Sequence, residues 1–395
     1  MAEAREIVVL SAVRTAIGTY GGSLAGTPPT ELAATCVRGA VERAGIEPTD
    51  VGHVAFGNVV HTEPKDMYLS RVAAVNGGLP VETPAVTVNR LCGSGLQAIV
   101  SAAQLIKLGD ADCTVAGGAE CMSRGQYWLP TLRFGQRMGD AQVIDAMVGA
   151  LTDPFDDCHM GITAENVAEK WGISREDQDA LAVQSQQRAA AAIAAGYFKD
   201  QIVPVEIRVK RDTVNFDTDE HVRGQATIES LAKMRPVFKK DGSVTAGNAS
   251  GINDAASSIV MMDRKLAEQR KLKPLARLVG YAFAGVEPKY MGIGPVPATR
   301  RLLETTGLSV DDIDVFEVNE AFAAQALAVS RDLGLPPEKT NPNGSGISLG
   351  HPIGATGCVI TVKAIHELHR TGGRYALVTM CIGGGQGIAA IFERL

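Results

Sequence analysis

Short apolar runs alternate along this chain with longer segments whose apolar residues recur three and four positions apart. Residues 7–13 form a near-continuous apolar run of strand length, as a strand buried on both faces reads. Residues 31–44 place Leu32, Cys36, Val37, Ala40 and Val41 on one helical face. A strand over 51–60, a helix over 67–76 and a strand over 113–116 are expected next, the last closed by Gly117-Gly118-Ala119-Glu120. Between them, Val86 and Val88 form a short β-branched run leading to Cys92-Gly93-Ser94-Gly95. Leu96, Ile99, Val100, Ala103 and Ile106 then return at helical spacing. Such alternation predicts an α/β layer fold around a largely parallel sheet.

The plan then repeats. Residues 307–316 (GLSVDDIDVF) parallel residues 45–56 (GIEPTDVGHVAF). Gly354-Ala355-Thr356-Gly357 and its apolar helix parallel Gly93-Ser94-Gly95 and theirs, and residues 375–380 parallel 113–116. The chain therefore divides into two similar α/β halves, 1–120 with 249–270 and 271–395. Residues 121–248 read as an inserted loop domain, richer in aromatic and charged loop residues, with one clear helix over 176–195. A site between the halves would draw residues from both, with the insertion as its cap. Residues 245–251 are a small-residue turn into a buried segment, 255–262, and 271–274 a linker.

With 395 residues, 45% hydrophobic and 21% charged, the chain can bury a sizeable core. A net charge of −6 argues against a general nucleic-acid binder but leaves room for a local basic patch around a phosphorylated ligand. The seven cysteines show neither C-x-x-C nor zinc spacing, which fits reduced thiols and a cytoplasmic protein. No signal segment and no membrane span is expected, and Glu393-Arg394-Leu395 is not a peroxisomal address.

Four positions carry candidate chemistry. Cys92 falls where a strand turns into a helix, whose N-terminal N–H groups and dipole favour a thiolate; the plain alternative is a buried structural cysteine. His351 is boxed by glycines in 350–357, so its loop is built for close approach. Cys381 precedes Gly383-Gly384-Gly385, whose backbone N–H groups suit an oxyanion hole; the alternative is a tight hairpin with an incidental cysteine. Asn319 is either an N-cap or a group orienting a water, and position alone leaves both open. His159, by spacing, reads as a surface or core histidine. Two thiols, a histidine and glycine N–H donors point to acyl transfer through a thioester. A hydrolase has no use for the second thiol, which favours carbon–carbon chemistry.

At Asn89-Arg90-Leu91-Cys92-Gly93-Ser94-Gly95, Asn319-Glu320-Ala321-Phe322, Gly350-His351-Pro352-Ile353-Gly354 and Cys381-Ile382-Gly383-Gly384-Gly385 the sequence resembles the thiolase family over essentially its whole length. Within it, the likeness is to the biosynthetic type and its broad-chain β-ketothiolases of polyhydroxyalkanoate producers. Residues 13–18, His159-Met160-Gly161 and residues 343–350 support that subgroup, the last reading GSGIS at 344–348 where GGAIA is usual. The resemblance implies a layered α-β-α-β-α fold and a ping-pong Claisen condensation. Cys92 would be the acyl-thioester nucleophile and His351 its base. Cys381 would be the acid/base at C2 of acetyl-CoA. Asn319, through a water, and His351 would form one oxyanion hole, and the N–H groups of Cys92 and Gly383 the other. Coenzyme A contacts would include Leu151, His159, Arg223, Ser230, Phe238, Ala246, Ser250, Met291, Ala321 and Phe322, with Arg223 suited to a phosphate. Short-chain substrates, acetoacetyl-CoA and 3-ketovaleryl-CoA, are expected. So is a homotetramer joined through the loop at 133–147, with no metal or redox cofactor and with CoA thioesters as substrates. A decarboxylating ketoacyl synthase on the same fold would carry histidine where Asn319 stands. A non-catalytic CoA-binding protein would have to leave four intact chemical groups unused.

Overall fold

The structure, a computed structural model, describes residues 5–395; residues 1–4, with which the first expected half begins, lie outside it. Nine strands carry the fold: β1 (Ile7–Arg14), β2 (His53–Gly57), β3 (Ala85–Val88), β4 (Cys113–Cys121), β5 (Asn253–Asp263), β6 (Ala276–Gly285), β7 (Val315–Val318), β8 (Tyr375–Ile382) and β9 (Gln386–Arg394). They run in the order β7-β8-β9-β6-β1-β5-β4-β2-β3, and Gly18–Thr19 adds a tenth, short strand on β5. β1 and β6 meet over two residue pairs, Val8–Arg277 and Val9–Ala276, so this contact is a seam between two half-sheets.

The sheet is mixed rather than largely parallel. β2–β3, β2–β4 and β7–β8 are parallel, but β4–β5, β5–β1, β6–β9 and β9–β8 are antiparallel. The reason is local in one half and long-range in the other. Gly383-Gly384-Gly385 turns β8 straight back into β9, with φ of 81° and 85° at Gly384 and Gly385, where glycine alone is unstrained. In the first half, β5 returns from the insertion against β4.

Two helices, α1 (Pro29–Ala44) and α2 (Leu69–Asn76), cover the outer face of the first half through Leu32, Val37, Leu69 and Ala73. α3 (Ser94–Leu108) occupies the middle layer. From the insertion come α4 (Met160–Trp171) and α5 (Arg175–Ala194), and in the second half α6 (Pro295–Thr306) and α7 (Ala323–Leu333) cover the outer face. α8 (Ile353–Thr371) joins α3 in the middle: Leu96, Ile99 and Ile106 of α3 share one buried cluster with Ile360, Ile365 and Leu368 of α8, Val9 and Ile259 of the first half and Val378 and Phe392 of the second. The layers are thus α-β-α-β-α. A helix between two sheets is apolar nearly all round. Residues 91–108 accordingly reach the length and apolarity of a membrane span, against the sequence expectation, yet they are a core helix and its approach.

Several boundaries move for identifiable reasons. β2 is shorter than 51–60, and α2 begins at Leu69 because a 3₁₀ turn, Pro64–Tyr68, precedes it. β4 does not end at Ala116 but runs through both glycines to Cys121. A Cβ on Gly118 would collide with the carbonyl oxygen of Gly354, and one on Gly117 with that of Ser257. Gly118 lets the first turn of α8 lie on β4, and Gly117 lets β5 and Phe56 approach closely. The insertion is tied to β1 by a fully buried fork, Arg14 to Asp219, at 2.7 and 2.9 Å.

Candidate active site

The nucleophile loop begins where β3 ends. Leu91 takes the left-handed conformation, φ 45°, a strained state for a residue with a branched side chain. It is held by its neighbours: Asn89 Oδ1 accepts from the Leu91 N–H at 2.9 Å, and Ser94 Oγ donates to the Leu91 carbonyl at 2.7 Å. Cys92 follows directly, one residue before Gly93, the N-cap of α3. The sharp bend is therefore at Leu91; Gly93 has φ −81°. The glycines serve close approach instead, since a Cβ at Gly93 would press on Ile382 at 2.6 Å and one at Gly95 on the backbone N of Cys358 at 2.7 Å.

The backbone N–H groups of Gly383 and of Cys92 itself favour a thiolate at Cys92 Sγ. Burial outweighs these donors and pushes the thiol up to about 11. The thiolate that a helix N-terminus favours is thus opposed by desolvation, and Cys92 rests as a thiol. Cys381 lies at the end of β8, fully buried. Burial, and then the neighbouring Cys92, raise its pKa as well. Both readings of Cys381 hold together: it is in a tight hairpin and it faces the cavity.

His351 lines the same cavity. Burial pushes its imidazole down to about 4, so it is neutral at ordinary pH. Its tautomer follows from its partners. Thr356 Oγ1 donates its one proton to the Pro352 carbonyl at 2.9 Å. Toward His351 Nδ1, 2.7 Å away, that oxygen acts as acceptor, and Nδ1 carries the hydrogen. Nε2 is left as an acceptor, and Asn319 Nδ2 donates to it at 3.4 Å. Asn253 Oδ1 accepts from the His351 backbone N–H at 3.0 Å, and Gly350 (φ 112°) makes room for Asn253. Thr356 and Asn253 were not singled out from sequence: each acts through a contact that only the folded chain makes.

One cavity of about 370 Å³ gathers these groups. Cys92, His351, Cys381 and Gly383 line it, and so do Leu151, His159, Phe238, Ala246, Ser250, Met291, Ala321 and Phe322. His159 is therefore a wall of the site rather than a surface or core residue. Its Nδ1 accepts from the Gly161 N–H as the N-cap of α4, and its ring stacks on Phe238 at 4.6 Å between centroids. Met160, which touches Gly383 closely, also lines the cavity and was not among the expected contacts.

Three expected residues stand outside that lining. Asn319 is fully buried behind His351, and it is no helix cap, since α7 is capped at Phe322. Its Oδ1 has no hydrogen-bond partner among the described residues. Arg223 and Ser230 line an adjoining cavity of about 480 Å³, which shares Ala246 and Gly251 with the first. The Ser230 hydroxyl is already engaged with Thr227 in a capping box, whereas the exposed Arg223 guanidinium makes no hydrogen bond or ion pair among the described residues.

Comparison with known proteins agrees with this geometry along the whole chain. Residues 7–265 match the family described as thiolase, N-terminal domain, and residues 272–394 the thiolase C-terminal domain. The β-ketothiolase BktB of Cupriavidus necator is 67% identical over 99% of this chain and 100% of its own length. An acetyl-CoA acetyltransferase of Chromobacterium violaceum is 53% identical over 98% and 100%. Among solved structures, the acetyl-CoA acetyltransferase of Bacillus anthracis superposes with a TM-score of 0.98 at 47% identity over both full chains. Human mitochondrial 3-ketoacyl-CoA thiolase in complex with CoA does so at 0.96 and 46%, covering 99% of this chain and 98% of that one. By sequence and by fold, this chain belongs to the thiolase family.

Proposed function

We propose that this protein is an acetyl-CoA C-acyltransferase that reversibly condenses acetyl-CoA with a short-chain acyl-CoA to a β-ketoacyl-CoA and CoA, by a ping-pong route through acyl-Cys92. The observation that carries this reading is the convergence of two thiols and a neutral histidine on one apolar cavity. In the first half-reaction His351 Nε2 takes and keeps the Cys92 proton as sulfur attacks the thioester carbonyl. The N–H groups of Cys92 and Gly383 beside that sulfur receive the oxyanion, and its collapse expels the CoA sulfur, which takes the proton of Cys381 and leaves Cys381 a thiolate. In the second, Cys381 removes a proton from C2 of acetyl-CoA. The enolate oxygen is held by the Nε2–H of His351, which still carries the Cys92 proton, and by a water on Asn319, whose unpartnered Oδ1 such a water would satisfy. The enolate carbon then attacks acyl-Cys92, and the Cys92 sulfur leaves and takes its proton back from His351 Nε2. No step calls on a metal or redox cofactor, because thiols, imidazole and backbone donors supply each proton and each charge partner.

Coenzyme A is read along the two joined cavities, pantetheine past His159, Phe238 and Ser250, and a phosphate on Arg223. The identity to BktB supports the broad-chain subgroup and a place in polyhydroxyalkanoate synthesis or short-chain fatty acid metabolism. A cytoplasmic homotetramer completes the reading; seven free cysteines accord with a reducing compartment. A ketoacyl synthase is disfavoured by asparagine at 319. The experiment is thiolysis by purified protein, with free CoA, of acetoacetyl-CoA, 3-ketovaleryl-CoA and 3-ketohexanoyl-CoA. Turnover of all three is expected, and loss of at least about 10³-fold in Cys92→Ala. Wild-type rates from Cys92→Ala would sink the assignment.

A further inference from the structure

Glu120, the last residue of β4 but one, is fully buried and belongs to none of the groups assigned above. Its carboxylate collects four donors from two separate segments. Oε2 accepts from the N–H of Gly354 at 2.8 Å and of Val59 at 3.1 Å. Oε1 accepts from the N–H of Val60 at 3.0 Å and from Asn58 Nδ2 at 3.1 Å. Gly354 is in the first turn of α8, three residues after His351. Val59 and Val60 belong to the apolar wall that packs against Cys92 together with Met122 and Ile353. Gly354 is without a side chain where it meets Glu120, because a Cβ there would collide with Oε2. All four partners donate, so the pocket is made for an acceptor with two oxygens and no hydrogen.

We propose that Glu120 is a positioning residue for the condensation, clamping the His351-bearing helix to the wall behind Cys92 and setting the charge against which Cys92 gives up its proton. The inference rests on the function proposed above. The charged and titratable groups around the clamp are Asp66 in the Pro64–Tyr68 turn, Cys92, and across the cavity Cys381 and His351. Burial, then Asp66 in smaller measure, push the carboxyl up while the backbone donors hold it down, to about 8. Cys92 loses its proton near 11, where Glu120 is ionised and opposes the thiolate. Removing that charge lowers the pH at which Cys92 becomes reactive; removing the clamp alone does not.

The test uses the full-length protein and two readouts, thiolysis kinetics and the pH dependence of Cys92 alkylation by iodoacetamide, localised by peptide mass spectrometry. Glu120→Gln is expected to lower kcat by about tenfold or more with KM for CoA little changed, since two of four donors meet an amide NH2 in place of an oxygen. It should also move the alkylation midpoint down by about half to one pH unit. Glu120→Asp keeps the charge but not the reach. Its kcat should fall while its midpoint stays at the wild-type value. A folded Glu120→Gln with wild-type kcat and midpoint would overturn the proposal and leave a plain helix anchor. If Glu120→Gln does not fold, Glu120→Asp decides, and wild-type kcat in it overturns the proposal equally. Should the wild-type protein lack thiolysis, the function reading fails by itself, and the alkylation midpoints still report on Glu120.

Discussion

His351 stands as a neutral imidazole because nothing nearby gives it a reason to hold a second proton. It is fully buried, its Nδ1 hydrogen is spent on Thr356, and Nε2 faces an amide rather than a carboxylate. Its pKa near 4 against an ordinary 6.5 has a definite sign for stability. Between those values the folded state binds fewer protons than the unfolded one. The contribution is complete above pH 6.5 and lost as pH falls through 4, amounting to about 3 kcal/mol at most. Denaturant unfolding of wild type and His351→Asn at pH 7.5 and pH 5 should therefore show the wild type losing more on acidification. Equal losses would mean that His351 is charged in the folded protein. The tautomer has its own test. Thr356→Val removes the acceptor for Nδ1 and frees the ring to put its hydrogen on Nε2, so kcat should drop about 10- to 100-fold with KM little altered. Thr356→Ser retains the oxygen and should stay within about threefold of wild type. A Val variant as active as the Ser variant would show that the hydroxyl does not set the ring.

At the scale of elements, Gly118 shows how one position serves the site from a distance. It lies in mid-strand, a place that disfavours glycine, because the α8 turn just after His351 rests on it. Gly118→Ala forces that turn away, with a cost of about 1–3 kcal/mol. The variant should melt lower and lose thiolysis out of proportion, and an unchanged melting temperature would mean the two layers can slide apart freely. The same glycine marks where the sequence stopped being readable. Gly117-Gly118 has the look of a turn to any local reading, and its true reason is a helix more than two hundred residues away. Periodicity did reveal α1, α3, α5 and α8, because burying one face or all faces writes itself into spacing. The internal repeat likewise anticipated two half-sheets. Strand direction was not legible, since whether β5 pairs antiparallel with β4 depends on how the insertion returns. Within the site, Cys92, His351 and Cys381 were marked by neighbouring glycines, several of which stand where the folded chain leaves no room for a side chain. Thr356, Asn253 and Glu120 are ordinary residue types whose hydrogen bonds exist only once the halves have closed.

The molecule as a whole leaves two apolar regions open to solvent. A short two-stranded stem, Tyr127–Trp128 with Ile144–Asp145, holds out a loop on which Phe134 is 93% and Met138 90% exposed. Tyr127, Trp128, Leu132 and Val143 are exposed beside them. A second open region lies at the far edge of the sheet, where β3 has a free side and Val86 is exposed, as are Met67, Tyr68 and Val81. Unpaired edges and contiguous apolar patches of this kind are ordinarily covered by a partner. Two separate patches on one chain suit a dimer of dimers, with the β3 edge building the pair and the loop joining the pairs. Burying one phenylalanine and one methionine contributes about 4–5 kcal/mol per copy, enough for their loss to separate the pairs. Sedimentation equilibrium should give the wild type four times the 41.5 kDa chain mass. Phe134→Ser with Met138→Ser should give twice that mass. Thiolysis should survive in the resulting dimer, because none of the cavity-lining residues falls within 123–149. A double variant that remains a tetramer would take the loop out of the assembly, and a wild type that sediments as a single chain would leave both patches without the partner their chemistry requires.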